Sequence, residues 1–133
     1  MPSFDYTSDF DHRVDAIHPN ASSNLHMIAE IPIEKAHDIL RQILEMGCMA
    51  QNMLNIESGR KAITKIPENW LLNNFPIVVS KYMFGEKEWQ EWEFRRLAEM
   101  LEAHFPRVFE WLIYYAKSLD NPEVDEAICD FLK

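Results

Sequence analysis

Through most of this chain, apolar residues recur every three or four positions, and no stretch alternates apolar with polar residues convincingly enough for a sheet. That periodicity belongs to amphipathic helices. Prolines supply the punctuation, seven of them against three glycines. A proline suits the first turn of a helix and breaks its interior. The fold class that follows is all-α. A length of 133 residues suits one domain, and a content of 47% hydrophobic and 12% aromatic residues can fill its core.

Residues 1–24 are rich in Asp, Ser and Asn and read as a weakly ordered acidic lead. Phe4, Tyr6, Phe10, Val14 and Ile17 either dock it on the body or leave it frayed. Residues 25–133 read as the all-helical domain, with about five to seven helices in the chain. The first strong helix is expected from near Ile33 to about Met46. Ile33, Ala36, Ile39, Leu40, Ile43 and Leu44 share one face; Glu34, Asp38, Arg41 and Glu45 share the other. Gly47 reads as its stop. The stretch Cys48–Ile66 continues in helical period, and Gly59 either interrupts it or admits a close helix contact. Pro67 opens the next helix.

A short echo follows. "FPIVVSKYM" starts at Phe75 and "FPRVFEWLI" at Phe105, a spacing of 30 residues. In each copy a helix is expected to end before Phe-Pro and another to begin at the Pro, giving an αα-hairpin. Stacked hairpins bury a shared core as helical solenoids do, so the expected architecture is a single domain of stacked αα-hairpins, HEAT-like. In "SLDNPEVDEAICDFLK", Asp120 or Asn121 can cap a last helix with Pro122 in its first turn. Val124, Ala127, Ile128, Phe131 and Leu132 line its apolar stripe.

"EWQEWEFRRLAE" (Glu88–Glu99) sets two tryptophans among four carboxylates and two arginines. On a helix from about Glu86 to His104, Phe94, Leu97, Met100, Leu101 and His104 share one arc facing the core, with Ala98 at its edge and Trp89 at the other margin. Trp92 falls on the charged side, beside Arg95, Arg96, Glu88 and Glu99. Either a neighbouring element covers it with Arg96 stacked on its face, or it is an interface anchor, since Trp and Arg dominate binding hot spots. The surrounding acids, Glu93 among them, read as a solvated face, with Glu91–Arg95 and Arg95–Glu99 pairs along it.

Motifs for chemistry are scarce. There is no Gly-rich phosphate loop, nucleophile elbow or zinc pattern. Glu34 and His37 stand at i,i+3 as in di-iron bundles, which need a second such pair and two further Glu; the chain has no second ExxH. Asp15 and His18 collect potential ligands in the lead, and His104 suits a helix C-terminus. No catalytic residue, cofactor or metal site is expected. Cys48 and Cys129 read as free, buried thiols in a reducing compartment, with a disulfide between them left open by the sequence. No apolar run approaches the roughly 18 residues of a membrane span, and the acidic N-terminus lacks a secretory pattern, so the expected location is cytoplasmic.

A formal charge of −9 repels phosphate backbones and disfavours nucleic acid. The small cluster Arg60, Lys61 and Lys65 does not reverse this and is expected to pair with local acids. A basic protein is the natural complement, binding faster at low salt.

"EWEFRRLAEML" followed by "LDNPEVDEAICDFL" resembles the C-terminal half of small all-helical bacterial immunity proteins of polymorphic toxin systems. In these a "WEYRRL"-like helix precedes an "NPE…EA…FL" closing helix. The second motif also resembles HEAT-type repeats. The likeness covers Trp89–Leu132. It implies a non-catalytic antitoxin that binds one cognate toxin domain. The expected contact residues are Glu88, Glu91, Trp92, Glu99, Asp120, Asp125 and Glu126, forming an acidic helical surface. A helical adaptor is the first alternative, and a metal-dependent helical enzyme using Glu34, His37 and the N-terminal Asp/His cluster is the second. A homodimer through exposed apolar residues stays open.

Overall fold

The apolar stripe of the first strong helix becomes a buried face. In the computed structural model, which describes residues 6–49, 53–83 and 91–132, α2 spans Ile33–Leu44. It buries Ala36, Ile39, Leu40, Ile43 and Leu44 completely. Ile33 departs from expectation: it is 53% exposed, because it opens the helix ahead of the turn that packs. Glu34, also in the first turn, complements the positive end of the helix dipole.

Of the two alternatives for the N-terminal lead, residues 6–24 take the docked one. Tyr6–Ile17 forms α1, which sends Phe10 and Val14 into the core and packs Ile17 against it. Two 3₁₀ segments, Ala21–Ser23 and Leu25–Glu30, lead on to α2. Asp15 secures the first of them by accepting hydrogen bonds from the backbone N–H and the hydroxyl of Ser22, both at 2.9 Å.

Five helices follow: α3 (Met53–Ile63), α4 (Glu68–Val78), α5 (Glu91–Glu102), α6 (Pro106–Lys117) and α7 (Pro122–Phe131). Helices α2, α4 and α6 pack in succession. Helix α5 packs on α6 and α7, and α6 packs on α7. One cluster of buried residues runs from Phe10 to Ile128, so the chain is a single all-α domain with no strand among the described residues. No helix among them is long and apolar enough to cross a membrane.

The two Phe-Pro dipeptides do different jobs. Phe105 has φ −135° and ψ 68°, and α6 begins at Pro106 as expected. Pro76 instead lies inside α4. It has no N–H to give the Leu72 carbonyl, and the chain passes from α4 directly into a π-helical segment, Val79–Met83. The Ser80 hydroxyl donates back to the Pro76 carbonyl at 2.6 Å. At the last helix, Asn121 is the cap: its side chain accepts from the N–H groups of Glu123 and Val124. Asp120 takes the left-handed φ of 54° just before it, a conformation short polar side chains tolerate.

Gly47 does not stop α2. The helix continues through a π-helical segment, Glu45–Met49, which packs on both α3 and α5. The glycine serves close approach. A Cβ on Gly59 would stand 2.6 Å from the Gly47 Cα and 2.8 Å from the Ile43 carbonyl oxygen. Both are backbone atoms that cannot step aside. A Cβ on Gly47 would meet the Sδ and Cε of Met100 at 2.7 and 2.6 Å, the mobile end of an adaptable side chain. Gly59→Ala is therefore expected to destabilise the fold by about 2–3 kcal/mol or more. Gly47→Ala should stay within about 1 kcal/mol, since it also removes a helix-interior glycine. Urea unfolding midpoints of the two variants test the ranking, and a neutral Gly59→Ala would contradict the close crossing.

Candidate interaction groove

Arg60 and Glu99 are 39 residues apart in sequence, and the fold joins them at 2.6 Å. Arg60 follows the close-packed Gly59 on α3, and Glu99 precedes Met100 on α5. Between these two helices lies an open groove of about 390 Å³. Its lining is Ile56 and Arg60 from α3 with Trp92, Arg95, Arg96 and Glu99 from α5.

Trp92 is 36% exposed, and the Arg96 guanidinium sits 4.7 Å from its ring centroid. The stacked arginine holds one face of the indole while part of the ring stays in solvent. Arg95 reaches both ways. It bonds Glu91 one turn back on its own helix and Asp130 of α7 at 2.7 Å. Hydrogen bonds donated to Glu91 first, and to Asp130 second, hold its guanidinium proton more tightly than usual. A raised pKa contributes fully below the ordinary arginine range and is lost only as pH rises through the folded value, so this link is complete at neutral pH.

Of the residues expected on the contact surface, Glu91, Trp92 and Glu99 share α5 and the groove region. Two corrections concern their partners. Glu99, expected to pair with Arg95 on the same helix, crosses instead to Arg60. Glu93, expected on the solvated face, is 8% exposed and belongs to the buried side of α5. Asp120, Asp125 and Glu126 are exposed. Glu126 lies one helical turn before Asp130, on the flank that meets α5. Asp125 stands about 100° round the helix from it, and Asp120 serves the turn before α7. Glu88, and Trp89 with its expected place at the core margin, lie outside the described residues.

The groove is thus richer in arginine than the sequence suggested, because Arg60 comes from a helix that no local pattern connects to α5. Within the basic cluster, Arg60 pairs with an acid distant in sequence, Glu99, not with a sequence neighbour. The side-chain Nε of Arg60 is buried without a hydrogen-bond partner among the described residues.

The other candidates disperse. His37 Nε2 bonds the Asn74 side chain at 2.9 Å, and its ring meets Trp70 edge-on, while Glu34 is exposed. Asp15 is engaged by Ser22, and the Nδ1 of His18 is buried without a partner among the described residues. Among those residues no three of His, Cys, Asp and Glu gather as a metal cage would require. Cys129, expected to be buried, is free and exposed. It lies well round α7 from the stripe of Val124, Ala127 and Ile128 that packs inward. The Cys48 side chain lies outside the described residues. His104 is exposed in the turn after α5.

Comparison with known protein families, with curated proteins and with solved structures returns no match.

A half-exposed tryptophan beside a fully buried phenylalanine gives a clean contrast. Trp92→Ala should cost about 1 kcal/mol or less of folding stability. Phe94→Ala should cost about 3–5 kcal/mol, since Phe94 is 0% exposed and meets Phe131 edge to face at 6.4 Å. Thermal unfolding of both variants checks this, and equal losses would make Trp92 a core residue.

Proposed function

We propose that this chain is a non-catalytic binding protein of the immunity type, neutralising a cognate protein toxin in the cytoplasm through its stacked, HEAT-like hairpins. The observation that carries the reading is Trp92. It is a large indole covered on one face by Arg96 yet left partly in solvent, in a groove edged by arginines. Trp and Arg side chains are enriched among the energetic anchors of protein interfaces. The exposed acids Asp125 and Glu126 and the charge of −9 favour fast encounter with a basic partner. Glu91 and Glu99 are engaged with arginines, so their part is to fix the groove's walls.

Co-expression with the toxin encoded beside this chain's gene tests the reading. The tagged chain should retain the toxin, more so at low salt, and should protect growth. Trp92→Ala should lower the affinity by at least about tenfold while lowering the melting temperature by no more than about 5 °C. Full protection by Trp92→Ala would remove the groove from the interface. Recovery of a housekeeping complex in place of a toxin would favour an adaptor role.

A further inference from the structure

We infer that the groove between α3 and α5 seats a carboxylate side chain of a protein partner, an inference that rests on the binding role proposed above and names its chemistry. Three guanidiniums, from Arg60, Arg95 and Arg96, line one groove in a chain of net charge −9. Each guanidinium carries several N–H donors and no acceptor. Glu99 takes one terminal nitrogen of Arg60, while the Nε of the same side chain is buried with no partner among the described residues. That Nε is closed to solvent, so the donors an incoming oxygen meets are the terminal N–H groups of the guanidiniums.

The Arg60–Glu99 pair is itself accessible, with side chains 38% and 49% exposed, so a second carboxylate can join it or displace Glu99. Trp92, under Arg96, supplies a flat wall for the methylenes of an acidic side chain. The charge balance selects a carboxylate over a phosphate. Glu91, Glu99 and Asp130 already offset the three arginines, so a single negative charge is accommodated more readily than two. The acidity of the whole chain opposes a polyphosphate backbone.

The test uses ¹⁵N–¹H spectra of the full chain, following the indole N–H of Trp92 and the Nε–H of Arg60. The probes are two capped tetrapeptides that differ only in carrying glutamate or glutamine beside a phenylalanine. The glutamate peptide should shift both signals saturably at millimolar concentration, and the glutamine peptide should bind roughly tenfold more weakly. Arg60→Lys keeps the charge but loses the planar fork, and should abolish the preference for glutamate. Glu99→Gln removes the internal competitor from an exposed position, and should strengthen the glutamate peptide roughly two- to fivefold.

Equal response to the two peptides overturns the inference, as does stronger competition by inorganic phosphate or a single-stranded oligonucleotide. The two readings fail separately. If Trp92→Ala abolishes toxin capture while Arg60→Lys leaves it intact and the peptides bind alike, the carboxylate anchor falls and the binding role stands. If the unaltered chain captures no toxin while the glutamate peptide still moves both signals, the binding role falls and the carboxylate site remains.

Discussion

The close approach of Gly59 to Gly47 is the constraint on which the rest of the arrangement depends. With no Cβ at either position, the backbone of α3 lies directly against the π-helical segment that prolongs α2. The Met100 side chain of α5 closes over the same spot. Three elements therefore meet where there is almost no side chain, and their relative register is fixed there. The neighbours in sequence inherit that register: Arg60 follows Gly59, Glu99 precedes Met100, and the two bond across the gap. The groove is the outer rim of the contact that builds the core.

The ion pairs around the groove add little to stability. Their side chains are between about one third and one half exposed, and exposed pairs contribute about 0–1 kcal/mol each and weaken with salt. Their consequence is orientation. Arg95 is held between Glu91 on its own helix and Asp130 on α7, so α5 and α7 are tied at one point. Arg96 is laid on Trp92. Side chains fixed before a partner arrives lose less conformational freedom on binding, which is why such a rim suits recognition better than stability.

Local pattern was enough for some elements and misleading for others. The buried stripe of α2 from Ala36 to Leu44, the start of α6 at Pro106 and the Asn121 cap follow from period and capping chemistry within a few residues. Phe75-Pro76 carries the same dipeptide as Phe105-Pro106 and behaves differently. A residue before proline avoids the helical region, as Phe105 does, yet Phe75 remains helical. It is fully buried and meets Trp111 at a right angle, 5.8 Å between centroids. Tertiary packing outweighs the local preference there. Gly47 was misread for a related reason: a glycine at a helix end and a glycine under a crossing helix look alike in one sequence. Helix α1 was underrated because Phe10, Val14 and Ile17 sit among Asp, His and Arg, which blur its amphipathic signal. The side of α5 on which Trp92 falls was legible from period alone. Its arginine from α3 was not, since no pattern within one helix names the residue facing it across 39 positions.

Charge acts at two ranges in this molecule, and the two need not have the same sign. At separations of about 10 Å, where salt already screens much of each charge, the summed charge dominates the remaining field, and the sum is −9, which attracts a positive surface. Within hydrogen-bond distance the sum is irrelevant and individual donors decide. In the groove those donors are guanidiniums. A partner can therefore be basic over its whole face and still present one acidic side chain at the centre of contact. Long-range attraction sets how fast such a pair meets, and short-range pairing sets how slowly it parts. A uniformly acidic surface would supply the first of these alone; arginines recessed beside a tryptophan on an acidic protein supply both.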